Sequence, residues 1–200
     1  MSLIASASGT RVVRRCELTE DNAGVDVQDN SREKAMAELL GLSTTGKRNG
    51  FDAVDSSGNP YELKTTSVRD VGTGRDVGRV WIEKIRAGYF IAAKTDMTIK
   101  SEWKPSEVIF CHPSDLEEWI AEKLENRIAI DEELRDRVLA NLGDSVTEEE
   151  KTRIVYLMGR GMTYNNPKIS WDYLLSHGVV IDLNRPAEHL AELVSSRPLQ

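Results

Sequence analysis

Histidine and cysteine are scarce: the 200 residues contain three His and two Cys. Cys16 and Cys111 stand far apart without a CxxC partner, and His112 and His189 belong to no motif. A zinc site with ordinary spacing and a disulfide framework are therefore excluded, and both thiols are expected to be structural in a reducing cytoplasm. Long apolar runs are missing as well. No stretch approaches the roughly 20 residues a membrane helix needs. The opening MSLIASASGTRVVRR places its basic residues after a short apolar run, the wrong order for a secretory signal. A soluble chain with no membrane partner is expected. The third absence is a basic balance. The net charge is −7, which superficially argues against a nucleic-acid partner. Its distribution matters more: residues 46–104 carry 11 Lys+Arg against 8 Asp+Glu, a balance of +3, and the remainder carries 15 against 25, a balance of −10. Basic charge is concentrated in one stretch, and the acidic excess elsewhere limits nonspecific binding.

That stretch contains GKRNGFDAVDSSGNPYELKTTS, from Gly46 to Ser67. FDAVD and YELKTTS have strand character, and SSGNP between them has turn character. Because strand side chains alternate between faces, pairing Asp55 with Tyr61 sets Asp52 opposite Lys64 and puts Asp52, Glu62 and Lys64 on one face. This requires an odd-numbered loop or a bulge; a four-residue loop would turn Asp52 to the far side. Two carboxylates brought together can hold a hard cation such as Mg2+. A neighbouring lysine can orient or activate a water and offset charge growing on a phosphate. The chemistry suggested is metal-assisted hydrolysis of a phosphodiester. Spacing alone is weak support, since 30% of the chain is charged.

The stretch GFDAVDSSGNPYELK resembles the active-site hairpin of PvuII-like type II restriction endonucleases, members of the PD-(D/E)xK nuclease superfamily. Two further blocks occur in the family's order: Val27-Gln28-Asp29-Asn30 upstream, and Asn165-Asn166-Pro167-Lys168-Ile169 with Tyr173 and His177-Gly178 downstream. The resemblance runs with gaps from about Val25 to Ile181. It implies an α/β fold with a restriction-endonuclease-like mixed central sheet flanked by helices. It also implies a homodimer that cuts both strands of a palindromic site in double-stranded DNA with Mg2+, for which Mn2+ can substitute. By the same match Asp52 and Glu62 are metal ligands, the backbone carbonyl of Leu63 is a third, and Lys64 is the catalytic lysine. Asp29, Lys84, Asn165, Asn166 and Lys168 become candidates for DNA contact. The chain departs from the family where a run of histidines reads bases, which it lacks, and at Ile85, where the family has tyrosine.

The residues between these blocks allow their own reading. Gly72, Gly74 and Gly78 punctuate a loop bearing Arg69, Arg75 and Arg79, which can reach guanine O6 and N7 or remain solvated. Asn165 and Asn166 suit paired hydrogen bonds to adenine, and Lys168 suits a phosphate, with an Asn-Pro turn as the plain alternative. Lys47 and Arg48 are further phosphate candidates. The spacing Gly41-x4-Gly46-Lys47 mimics a phosphate-binding loop, but Arg48 stands where Ser or Thr is required.

Around the hairpin, SREKAMAELLGL predicts a helix from Ser31 with Ala35, Leu39 and Leu42 inward and with Glu33 and Glu38 on a solvated face. YFIAAK and EVIFCH predict core strands, and a helix is predicted from about Val80. Residues 114–159 predict three charged helices capped by Ser114, Asp131 and Thr147, of which about 128–160 form an insertion serving stability, dimerisation or an arm beside the DNA. Residues 1–24 are expected to form an N-terminal arm, and the resemblance implies one nuclease domain over residues 25–200. The tail is expected to be a short helix with a frayed end. All four tryptophans, with His112 and His189, are expected to be structural. Two rival functions remain: a repair or recombination nuclease that reads DNA structure, and a noncatalytic DNA-binding module.

Overall fold

The computed structural model describes residues 31–46, 50–75, 77–95, 103–143, 146–161 and 164–199. The N-terminal arm, Cys16, Asp29, Lys47 and Arg48 lie outside the described residues. The centre of the molecule is a mixed six-stranded sheet. Helix α1 (Ser31–Leu39) leads into β1 (Ser43–Thr44), β2 (Ala53–Val54) and β3 (Pro60–Thr66). Strand β4 (Asp70–Gly72) and helix α2 (Arg79–Arg86) follow, then β5 (Tyr89–Thr95) and β6 (Pro105–Cys111). Helices α3 (Glu117–Ile120), α4 (Asn126–Ala140) and α5 (Glu148–Gly161) precede β7 (Lys168–Ser170), α6 (Trp171–His177), β8 (Val179–Val180) and α7 (Pro186–Ser196). The sheet order is β1-β2-β3-β5-β6-β8, while β4 and β7 form a separate two-stranded ribbon. Among the described residues, β3 and β5 run parallel and the other strand pairs are antiparallel.

YFIAAK is apolar throughout because β5 is covered on both faces. Phe90 and Ala92 join a cluster with Ile82, Ile85, Trp119 and Trp171. Tyr89, Ile91 and Ala93 join the opposite cluster with Met36, Leu63 and Leu190. Strand β3 differs from β5 in one decisive respect. Its Tyr61 and Leu63 pack into the second cluster, whereas the alternate positions are Glu62 and Lys64, a charged pair set beside Phe90 and Ala92 of the parallel neighbour.

Several expectations need correction. The inner face of α1 is Met36 and Ala37, continued by Leu40, in place of Ala35 and Leu39. The first two helices predicted after Ser114 are continuous: α3 passes through a π-helical turn, Ala121–Glu125, directly into α4. Asp131 is thus inside a helix, where its carboxylate accepts a 2.6 Å hydrogen bond from Tyr164 Oη. The chain enters α3 through a 3-10 turn, Pro113–Asp115, capped by His112, whose ring accepts from the Ser114 N–H and whose own N–H donates to Asp115. Thr147 is a cap as expected, exchanging hydrogen bonds with Glu150. The tail is docked, not frayed: Arg197 binds both oxygens of Asp115, and its carbonyl accepts from Tyr89 Oη. Trp81, Trp119 and Trp171 are buried, and His189 accepts from the Asp182 N–H.

Gly178 ends α6 where the chain crosses close over β6. A Cβ there would lie 2.6 Å from Ile109 Cγ2 and 2.8 Å from both Cys111 Sγ and the Phe110 carbonyl oxygen. Gly178→Ala is therefore expected to cost about 1–3 kcal/mol, as overpacking does, read as a lowered urea midpoint; an unchanged midpoint would contradict this close approach.

Candidate active site

The hairpin turns tightly because Asp55 organises it. Its carboxylate accepts from the Ser57 and Asn59 N–H groups, the Asn59 amide and the Tyr61 hydroxyl. Partial burial raises the Asp55 pKa, but these donors outweigh it and leave the carboxyl below its ordinary value. Gly58 takes a left-handed φ of 86°, which glycine adopts without steric cost. The register is Ala53 with Tyr61 and Val54 with Pro60, two residues from the pairing expected. A shift of two keeps parity, so the side chains stay on their expected faces.

Asp52 sits just before β2 with its backbone held on both sides. Its carbonyl accepts from the Thr45 N–H at 3.0 Å, and its N–H donates to the Tyr61 carbonyl at 3.0 Å. Beyond this point β2 no longer pairs with β3, and the Leu63 N–H on the open edge donates instead to Asp52 Oδ2 at 2.8 Å. The carboxylate is thereby drawn across to β3.

Three oxygens then converge on the Lys64 ammonium. Nζ lies 2.8 Å from Glu62 Oε1, 2.9 Å from the Leu63 carbonyl oxygen and 3.2 Å from Asp52 Oδ2. Glu33 Oε1, from α1, is 3.8 Å away. The second oxygen of Glu62 is held by Lys84 Nζ at 2.5 Å. Burial disfavours the charge on Lys64, yet Glu62, Asp52 and Glu33 together raise its pKa above the ordinary lysine value, so the ammonium persists at neutral pH. Glu33 moves up too: burial is the leading cause, Lys64 opposes it, and the negative charges of Asp52 and Glu62 add to it.

Glu33 is the member that sequence reasoning set on a solvated face. The usable signal was its spacing, since Glu33 precedes Met36, Ala37 and Leu40 at three, four and seven residues, all on one side of a helix. Glu38 is exposed, as expected.

The residues expected to be metal ligands are the ones whose oxygens surround Lys64 Nζ. Two carboxylates and a backbone carbonyl are hard oxygen donors of the kind Mg2+ takes, and that cation keeps waters in its remaining positions. Donor type fits the group, while the point on which the three oxygens converge is held by the Lys64 ammonium. No cluster of three or more His, Cys, Asp or Glu side chains suited to a metal occurs among the described residues. One donor of the set proposed here belongs to the backbone.

The candidate DNA-contact residues divide. Asn165, Asn166 and Lys168 are exposed and come together with the glycine-punctuated loop, about 95 residues earlier in the chain, through the β4–β7 ribbon. Asn166 N–H donates to the Gly74 carbonyl at 2.7 Å, and Val77 bridges to Tyr164. Arg75 is exposed on that loop. Thr66 Oγ1 donates to the Asp70 carbonyl, which ties the ribbon to the end of β3. Arg69 instead pairs with Asp172, and Arg79 makes a two-pronged contact with Glu132 of α4. Lys84 faces Glu62.

No protein-family model and no curated protein sequence gives a significant match to this chain. Among the described residues, no helix is long and apolar enough to cross a membrane.

Because its folded-state pKa is raised, Glu33 contributes most to stability below the unfolded pKa, and that contribution is lost as pH rises through the folded pKa. Glu33→Gln is accordingly expected to stabilise the fold at about pH 7.5, with the difference fading towards about pH 3. Urea denaturation at both pH values checks this; a variant less stable than wild type at neutral pH would refute it.

Proposed function

We propose that this protein is a Mg2+-dependent endonuclease of the PD-(D/E)xK type, acting on double-stranded DNA as a type II restriction enzyme does. The observation that carries the proposal is that three hard oxygen donors of one hairpin, Asp52 Oδ2, Glu62 Oε1 and the Leu63 carbonyl, are gathered around the Lys64 ammonium. The mixed six-stranded sheet flanked by helices is compatible with the restriction-endonuclease-like arrangement. A bound divalent cation supplies positive charge that makes water more acidic and stabilises charge on a scissile phosphate. Asp52, Glu62 and the Leu63 carbonyl would hold it. Lys64, charged at neutral pH, donates hydrogen bonds towards an attacking water or a phosphate oxygen. Arg75, Asn165, Asn166 and Lys168 form the surface assigned to the duplex, with the asparagines suited to base edges and Lys168 to phosphate.

A palindromic target calls for twofold protein symmetry. The face assigned to that contact is on the helical insertion, where Ile130, Leu134 and Val138 recur every four residues of α4 and remain 58%, 52% and 45% exposed. Glu133 and Arg137 flank this row as an i,i+4 pair. Antiparallel packing of two copies sets Glu133 of each opposite Arg137 of the other. Leu134→Glu is expected to shift a dimer to monomer in light scattering without loss of helix content; a chain that is monomeric already would remove this part of the proposal.

The activity is tested by incubating phage DNA with purified protein and Mg2+ and sequencing the fragment ends. Discrete bands sharing one palindrome are expected, and Asp52→Ala or Lys64→Ala is expected to abolish cutting while duplex binding persists. A smear favours a structure-reading nuclease. Salt-sensitive binding without cleavage in Mg2+ or Mn2+ favours a noncatalytic module.

A further inference from the structure

Glu62 is 4% exposed, and each of its oxygens faces a different ammonium. Lys64 takes Oε1, and Lys84, from a separate element, takes Oε2. Lys84 is fixed in that place from several directions. Trp81, Ile82 and Ile85 bury the inner face of α2 against the sheet, and the Lys84 ammonium lies 5.3 Å from the centre of the Phe51 ring. Phe51 in turn lies so close to Gly88 that a Cβ there would come within 2.4 Å of its ring. On the outer side of the helix, Arg86 is held by Glu117 and Glu125. A lysine that reached out to DNA from here would leave one oxygen of a buried carboxylate without its cation, which is strongly unfavourable.

We propose that Lys84 is a positioning residue, which holds Glu62 Oε2 so that Oε1 stays with Asp52 Oδ2 and the Leu63 carbonyl in the oxygen set around Lys64 Nζ, and that it makes no contact with DNA. The proposal rests on the metal-dependent reading above and replaces the DNA contact that the resemblance implies for Lys84. Side chains that orient a metal ligand without touching the metal are typically worth about 10- to 100-fold in metal affinity.

The test uses the full chain and Mn2+ alone, titrated calorimetrically without DNA. Asp52→Ala is expected to abolish binding, Lys84→Met to weaken it by roughly 10- to 100-fold, and Lys84→Arg to restore it to within about threefold of wild type. A second measurement is metal-free binding to a random-sequence duplex at several salt concentrations. Lys84→Met is expected to leave the slope of log K against log salt unchanged, whereas loss of one phosphate contact lowers its magnitude by about 0.9. Thermal unfolding establishes that the variants are folded; should Lys84→Met fail to fold, Lys84→Gln is read by the same two measurements. Unchanged Mn2+ affinity in the Lys84 variant, beside lost affinity in Asp52→Ala, overturns the positioning role alone, as does a reduced salt slope. Mn2+ binding that is indifferent to Asp52→Ala overturns the metal-site reading and this proposal with it.

Discussion

The ammonium of Lys64 is the constraint on which the arrangement depends. Asp52, Glu62 and Glu33 come from three elements, and without a cation among them their charges would repel in a partly buried place. Removing one member of a buried ion pair costs about 3–5 kcal/mol because the other is left uncompensated. The same attraction holds Asp52 against the stretch of β3 that β2 leaves unpaired. Glu62 is confined further by Lys84, so the most buried of the three carboxylates is also the most fully countered.

Much of this was legible in the sequence because strand periodicity is rigid. Once Asp52, Glu62 and Lys64 were placed on one hairpin, only the parity of the turn mattered, and the actual register differs from the expected one by an even number. The strands YFIAAK and EVIFCH were equally readable from their apolar, β-branched and aromatic content. Glu33 was harder, because the inward face of α1 is defined by Met36 and Ala37, whose burial depends on a sheet formed later in the chain. The continuous passage of α3 into α4 and the docking of Arg197 on Asp115 were not legible, since one needs a local π-helical turn and the other a contact across 82 residues.

Charge distribution proved a blunter guide than spacing. Of the arginines on the basic stretch, Arg69, Arg79 and Arg86 have acidic partners on α3, α4, α6 or the π-helical turn. These pairs are largely exposed, and such pairs contribute at most about 1 kcal/mol. A polyanion can therefore compete for the arginines. The acidic helices then act as internal counterions for cations that would otherwise attract any nucleic acid indiscriminately.

The β4–β7 ribbon has a consequence for the order in which the molecule is built. Strand β3 and its hairpin are complete at Thr66, but β4 has to wait for a partner synthesised 96 to 100 residues later. Closing so long a loop is entropically costly and slow compared with hairpin formation. On a ribosome the Asp52 hairpin can fold while the ribbon cannot, because Lys168 to Ser170 emerge only after α4 and α5. The surface formed by Arg75 and the two asparagines thus assembles after the hairpin, once β7 has been made.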